Sequence, residues 1–272
     1  MPKFDMGAAW DDSMVLLKSH SVLTGAIVAV FFFLPRLALS WFGPVPIEPA
    51  PGATFDQVMA VLSASMRQIA PYELLVSMVG AIGGVGVLRL WLSRTGISVG
   101  EALVFALKMI PTMLAVQIIL TVGLVLIAML CVMPGVAAGG GAVGILLVVI
   151  GLFLFLGIAI YLWGRLALIS AAIADRSIFN PVVAIGESWK LTKDNGWRVA
   201  LFLLLVTIVI AIIFGLFGLV VGAAVGTGEG IGRLLTGLVE GGGAAIGGLV
   251  GVAIVAAAYR QLAIRSANDV FS

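Results

Sequence analysis

The sequence is almost without the side chains that carry enzyme chemistry: its 272 residues include one cysteine, Cys131, and one histidine, His20. A catalytic triad or a metal site needs several His, Cys, Asp or Glu side chains close together, and a disulfide within the chain needs a second cysteine. We therefore predict no catalytic residue, no metal site and no cofactor. We expect His20 at the level of the lipid headgroups and Cys131 inside a hydrophobic segment.

Charged residues are also scarce. They make up 10% of the chain and hydrophobic residues 62%, whereas soluble domains carry about 25% charged residues. Mean hydropathy is +1.23. Six apolar runs have the roughly 20 residues that cross a bilayer, at 20–42, 71–92, 110–134, 143–166, 198–223 and 240–259. The sequence thus predicts an all-α, polytopic membrane protein, with six transmembrane helices in one integral membrane domain over 1–272.

Two further helical features are expected outside these runs. The fourth helix should continue beyond the membrane into "ALISAAIAD", residues 167–175. A short amphipathic helix should begin at about Thr54, within the loop between the first two spans.

Lysine and arginine are distributed unequally over the span ends. Twelve lie on one side, whereas only Arg36, Arg67 and Arg233 lie on the other. Because these residues concentrate in the cytoplasmic loops of membrane proteins, we expect both termini to be cytoplasmic.

Three sequence windows that precede the odd-numbered spans resemble one another. They are "FDMGAAWDDSMVLLK", "SVGEALVFALK" and "NPVVAIGESWKLTK", which end in lysines 90 and 85 residues apart, Lys18, Lys108 and Lys193. The even-numbered spans end in "RLWLSR", "RLALIS" and "RQLAIRS". We predict three pseudo-repeats, at about 1–95, 96–176 and 177–272, each an interfacial elbow helix followed by a transmembrane hairpin. The alternative is that any six-span protein shows a similar alternation of charge.

Two of the elbow helices carry recognisable start signals. Ser98 and Glu101 have the spacing of a capping box, in which each residue bonds the backbone of the other. Asn180 is a good N-cap residue, and Pro181 fits the first helical position, where a proline loses no hydrogen bond. "DNG" at 194–196 should end the third elbow, because Gly and Asn tolerate a left-handed cap.

The third elbow is predicted to be amphipathic. At helical spacing Glu187, Lys190 and Asp194 share a narrow polar arc, while Val182, Ile185 and Trp189 share an apolar face. Such a helix lies in the membrane interface with its charges toward water. The candidate residues for binding a headgroup or a partner are Arg165, Arg176, Glu187, Trp189, Lys190, Lys193 and Arg198. The alternative is that these charges only enforce the topology.

The stretch "YLWGRLALISAAIADRSIFNPVVAIGESWKLTKDNGWRVALFLLLV" resembles the membrane domain of some glycerophosphoryl diester phosphodiesterases, and also the related YciC-type bacterial inner-membrane proteins. The shared pattern is an arginine at the end of a span, a short polar turn and an "ESWKLTKDNGW"-like elbow. The likeness covers about 60 residues clearly and the six-span plan loosely. It implies a location in the bacterial inner membrane. In those enzymes the chemistry belongs to a separate metal-dependent barrel, so the resemblance implies no catalytic residue here.

Four charged residues should lie at the outer membrane boundary, and we name them the outer polar rim: Arg36, Glu73, Arg233 and Glu240. They are either a rim of hydrated charges or a gate or polar site that opens outward, because charges deeper in a membrane are costly. Two glycine ladders should permit close helix packing or, alternatively, form a hinge or substrate path. They are Gly218/Gly222/Gly226 and Gly243/Gly247/Gly251.

These observations predict a non-catalytic, lipid-associated accessory or scaffold protein of the bacterial envelope. The expected partners are anionic membrane lipids and a protein partner or complex, without nucleic acid. The alternative is a small transporter or channel for a lipid-related or amphiphilic solute. A transporter usually has polar groups at the membrane midplane, and the third span offers only Gln117 and Pro111.

Overall fold

The computed structural model describes residues 3–19, 21–45, 47, 49–93, 96–139, 141–226 and 230–268. Every regular element in these ranges is helical. They are α1 (Met6–Ser19), α2 (Ser21–Val28), a π-helical turn (Ala29–Phe33), α3 (Leu34–Phe42), α4 (Phe55–Leu92), α5 (Val99–Lys108), α6 (Ile110–Ala137), α7 (Ala142–Leu166), α8 (Ile169–Arg176), α9 (Pro181–Leu191), α10 (Gly196–Val225) and α11 (Ile231–Asn268). The prediction for His20 lies outside the described residues.

Six helical segments are long and apolar enough to cross a membrane. They are Ser21–Phe42, Gln57–Leu92, Ile110–Ala137, Ala142–Arg176, Gly196–Val225 and Ile231–Ala263. Each corresponds to one of the apolar runs in the sequence. The prediction of an all-helical protein with six membrane-spanning helices is confirmed at this level.

The helical start signals form as predicted. The Ser98 backbone N–H and hydroxyl both donate to the Glu101 carboxylate at 2.8 Å, and the Glu101 N–H donates to the Ser98 hydroxyl at 3.2 Å. The hydrogen bond from the Ser98 backbone has the larger effect and that from its hydroxyl the smaller, and both lower the pKa of Glu101. The Asn180 side chain accepts from the N–H groups of Val182 and Val183, with Pro181 in the first turn.

The second span is longer than predicted. The helix expected from about Thr54 is not separate, because α4 runs without interruption from Phe55 through Pro71 to Leu92. Thr54 and Gln57 start it by reciprocal bonds between their side chains and backbone N–H groups. Pro71 removes only one backbone donor, which a membrane helix tolerates.

The first span contains an irregular turn. A π-helical turn at Ala29–Phe33 separates α2 from α3, and Pro35 lies in the first turn of α3. A proline cannot donate to the carbonyl one turn earlier, so a wider turn before it absorbs the interrupted hydrogen-bond ladder.

The expected continuation of the fourth span is wrong in one respect. The helix breaks at Ala167 and Leu168 before α8 begins. The Leu168 N–H donates to the Ser188 hydroxyl at 3.2 Å, and the Arg165 carbonyl accepts from side chains of α9. These side-chain bonds stand in for part of the helical ladder.

The chain divides into two compact units. Unit 1 comprises Met1–Ser19, Val85–Thr207 and Gly251–Ser272, and unit 2 comprises His20–Gly84 and Ile208–Val250. A buried cluster in unit 1 joins α6, α8 and α9 through Met109, Val116, Ile169, Ile173 and Ala184.

The α6–α7 hairpin of unit 1 packs backbone against backbone. A Cβ added at Gly151 would lie 2.1 Å from the Cys131 carbonyl oxygen, and one at Gly135 would lie 2.4 Å from the Val148 nitrogen. Only glycine fits such contacts. Cys131 itself is half-buried.

Several glycines of unit 2 lie close to the first span. A Cβ added at Gly83 would lie 2.4 Å from the Phe31 Cβ, and one at Gly248 would lie 2.4 Å from the Phe32 ring. In the predicted ladders, a Cβ added at Gly243 would lie 3.1 Å from the Phe214 ring, whereas one at Gly218 would have no neighbour closer than 4.0 Å. Gly243 therefore packs closely against a neighbouring ring, and the shorter distances at Gly83 and Gly248 lie outside the predicted ladders.

Candidate functional site

The third elbow helix, α9, is attached to the end of α7 by two hydroxyl groups. The Ser188 and Thr192 hydroxyls donate to the Arg165 carbonyl at 2.9 and 3.0 Å. Both residues are fully buried. Neither residue was among the predicted site residues, although two hydroxyl residues four positions apart, on the helix face away from Lys190, were the available signal.

This attachment places the indole of Trp189 against the side chain of Arg165. The Arg165 guanidinium carbon lies 4.2 Å from the centre of the Trp189 ring, a cation–π contact. Arg165 is only 5% exposed. The Tyr161 ring completes an aromatic group, 6.4 Å from the Trp189 ring and 5.6 Å from the Trp197 ring.

The outward side of α9 combines apolar and basic side chains. Val182 is 65% exposed, Val183 52% and Trp189 41%. Lys190 is exposed in the last turn of α9, and Lys193 is exposed in the turn that follows the helix. No ion pair or hydrogen bond of either lysine side chain is found among the described residues. Ile185, which we expected beside Val182, instead packs against the core cluster.

Of the predicted polar arc of Glu187, Lys190 and Asp194, Glu187 does not face water freely. The Glu187 side chain is 18% exposed and forms an ion pair with Arg176. The positive charge of Arg176, one of the predicted binding residues, is therefore paired within unit 1. Arg198 is half-buried, and within the described part of the chain no side-chain contact joins it to the other candidates.

The turn after α9 is held by the N-terminal segment. The Phe4 N–H donates to the Asn195 side-chain oxygen at 2.7 Å, and the Phe4 ring lies 5.9 Å from the Phe202 ring. Asp194, rather than Asn195 or Gly196, takes the left-handed conformation, with φ of 65°. Asn195 thus serves as a tertiary acceptor, a role that no local signal indicates.

In unit 2, three of the four residues of the outer polar rim come together. The Arg36 guanidinium lies 2.6 Å from the Glu73 carboxylate and 3.6 Å from the Glu240 carboxylate. Arg233 does not join them. It donates to the carbonyls of Ser40 and Gly43 at 2.9 and 2.7 Å, and so caps the end of α3.

Beside this cluster lies a cavity of about 420 Å³. Its lining includes Arg36, Glu240, Thr236, Phe214, Gly218 and Gly243. The buried Thr236 hydroxyl has no hydrogen-bond partner among the described residues. A cavity with apolar walls and a few convergent polar groups has the character of a ligand site.

No model of a known protein family, no curated protein and no solved structure matches this chain. Within the described ranges, no three His, Cys, Asp or Glu side chains lie together as metal ligands would. The assignment of function therefore depends on the geometry of unit 1 and unit 2.

Proposed function

We propose that this protein is a non-catalytic, lipid-associated accessory or scaffold component of the bacterial inner membrane, which meets lipid headgroups through α9. The observation that carries the proposal is the outward side of α9. It presents Val182, Val183, Trp189 and Lys190, with Lys193 in the turn that follows, and neither lysine side chain has a partner among the described residues. Apolar and aromatic groups beside basic ones are typical of helices that lie in the interface of an anionic membrane.

The proposal includes the three pseudo-repeats and the resemblance to the phosphodiesterase membrane domain. In its support, the short helices α1, α5 and α9 each precede an odd-numbered span. The proposed orientation has both termini in the cytoplasm, which puts Lys190 and Lys193 against the anionic inner leaflet. Anionic lipids are the proposed ligands, with a cytoplasmic protein as a further partner.

We predict that replacing both lysines, K190Q/K193Q, weakens the retention of anionic lipid. Each lysine near an anionic leaflet contributes about 1 kcal/mol, so the pair contributes up to about 2 kcal/mol, or roughly thirtyfold in binding before salt reduces it. The measurement is mass spectrometry of phosphatidylglycerol that co-purifies in mild detergent, at low and at high salt. The difference from wild type should shrink as salt rises.

The matched control is K18Q/K108Q, which removes the same charge from the other two elbow helices. Lys18 and Lys108 are exposed and lie in the last turns of α1 and α5. The control should retain more lipid than K190Q/K193Q. Equal retention by wild type and K190Q/K193Q would leave α9 as a structural anchor without a headgroup role.

We also propose that the protein has no phosphodiesterase activity, because the sequence offers no cluster of residues for metal-assisted hydrolysis. Purified protein given glycerophosphocholine and Mg²⁺ or Ca²⁺ should release choline no faster than buffer. Metal-dependent turnover that co-elutes with the protein through two purification steps would refute the proposal.

A small transporter for an amphiphilic solute is the second candidate function. The cavity beside Arg36 and Glu240 favours it, because it joins apolar walls to charged groups. We rank it second because Arg36 already bridges both carboxylates of the cluster, Glu73 and Glu240. Its ligand would have to compete with these contacts.

A further inference from the structure

Arg165 is a buried cation that has no counter-charge among the described residues. Within the same part of the chain its buried Nε atom has no hydrogen-bond partner, and its guanidinium forms no ion pair. The two terminal nitrogens of the guanidinium also bond to no described residue, but unlike Nε they are not fully buried. An unpaired charge is costly to bury, so an anion beside this guanidinium would be stabilised.

Two arginines at equivalent places in unit 1 behave differently. Arg89 donates to the Ala174 carbonyl at 2.6 Å, at the C-terminal end of α8. Arg260 donates to the Trp91 carbonyl at 2.6 Å, at the C-terminal end of α4. Both cations thus occupy the negative end of a helix dipole, where a positive charge is favourable. Arg165 lacks this partner, although it ends a span in the same way.

Arg165 lies instead against the N-terminal end of a helix. Its Cδ atom would be 2.4 Å from a Cβ added at Gly196, the first residue of α10. The first intrahelical bond of α10 joins the Val199 N–H to the Asn195 carbonyl, so the N–H groups of residues 196–198 precede that ladder. The positive end of the dipole and the guanidinium therefore repel each other unless an anion lies between or beside them.

We propose that Arg165 and the first turn of α10 form a phosphate site, whose ligand is the phosphate of a lipid headgroup. Trp189 covers one face of the guanidinium, which leaves the in-plane N–H groups free for bidentate contact with phosphate oxygens. Helix N-terminal N–H groups are suited to the same anion. Free inorganic phosphate shares this chemistry and would compete for the site.

This site deepens the proposed function, because it supplies a specific contact for a headgroup near α9. The two proposals can fail separately. If lipid retention depends on Lys190 and Lys193 but not on Arg165, the headgroup role of α9 is supported and the phosphate site is refuted. If retention depends on Arg165 but not on the two lysines, the phosphate site is supported and the headgroup role of the lysines is refuted.

The test uses the full-length protein, stripped of lipid in a nonionic detergent, with native mass spectrometry as the readout. The probes are dioctanoyl phosphatidylglycerol, the phosphate-free dioctanoylglycerol and inorganic phosphate as a competitor. Wild type should bind the phospholipid at least about tenfold more tightly than dioctanoylglycerol, since a charge-assisted hydrogen bond supplies that much. Competition by inorganic phosphate at millimolar concentration would identify the phosphate rather than the glycerol as the recognised group.

Three variants assign the effect. R165Q should lose about tenfold in phospholipid affinity, and R165K, which keeps the charge and the stem but not the fork, should fall between R165Q and wild type. K108Q removes one exposed charge elsewhere in unit 1 and should bind like wild type. The proposal is overturned if wild type shows no preference for the phospholipid, a result that does not depend on the folding of any variant. It is also overturned if folded R165K and R165Q both bind like wild type.

Discussion

Replacing Gly83 by alanine should lower the apparent melting temperature of the detergent-solubilised protein by roughly 5 °C. The added Cβ would lie 2.4 Å from the Phe31 Cβ and 3.1 Å from the Phe32 ring. The Phe31 Cβ is fixed to the backbone, so relief requires the first span to move away from α4. Overpacking of this kind costs about 1–3 kcal/mol, which for a chain of this size shifts the melting temperature by several degrees.

The matched control is one helical turn away. A Cβ added at Gly80 would lie 3.7 Å from the Phe32 ring, an ordinary contact. Alanine is the better helix former by about 0.5–1 kcal/mol, so G80A should melt at or slightly above the wild-type temperature. If G83A and G80A melt together, the close contact between Gly83 and Phe31 is not present in the folded protein.

The helices and their starts could be predicted because their signals are local. A run of about 20 apolar residues identifies a span whatever it packs against. The capping box at Ser98 and Glu101 and the cap at Asn180 depend on residues only three positions apart. The structure has both caps where the sequence predicts them, and each apolar run overlaps one of the six long helical segments, although the second and sixth segments begin earlier than predicted.

The break between α7 and α8 could not be predicted in the same way. Nothing in "GRLALIS" forbids a continuous helix. The break arises because the hydroxyls of Ser188 and Thr192, more than 20 residues away, occupy the Arg165 carbonyl. Contacts of this range depend on how α9 docks, which helical periodicity does not report.

The candidate site was predicted only in part for the same reason. Periodicity gave the direction in which Glu187 leaves its helix, but it could not show that Arg176 lies there to pair with it. It also could not distinguish Arg165 from Arg89 and Arg260, which share its place at a span end. Only the structure shows which two have a backbone partner.

The outer polar rim shows a similar limit. Counting residues along the spans put Arg36, Glu73 and Glu240 at one level, and the structure brings them into contact. Arg233 was grouped with Glu240 because the two share a helical face. Its bonds to the end of α3 depend on a neighbouring helix instead.

We propose that six helices cross a membrane with α9 on the cytoplasmic side, and cysteine labelling in intact bacterial cells or spheroplasts tests this proposal most directly. Replacing Cys131 gives a background without cysteine, to which one exposed position at a time is added. Ala50→Cys and Ala138→Cys should react with a membrane-impermeant maleimide from outside. Gly100→Cys, where a side chain meets no neighbour within 4 Å, and Lys193→Cys should react only after lysis. The account is contradicted if Lys193→Cys is labelled in sealed cells while Ala138→Cys is protected.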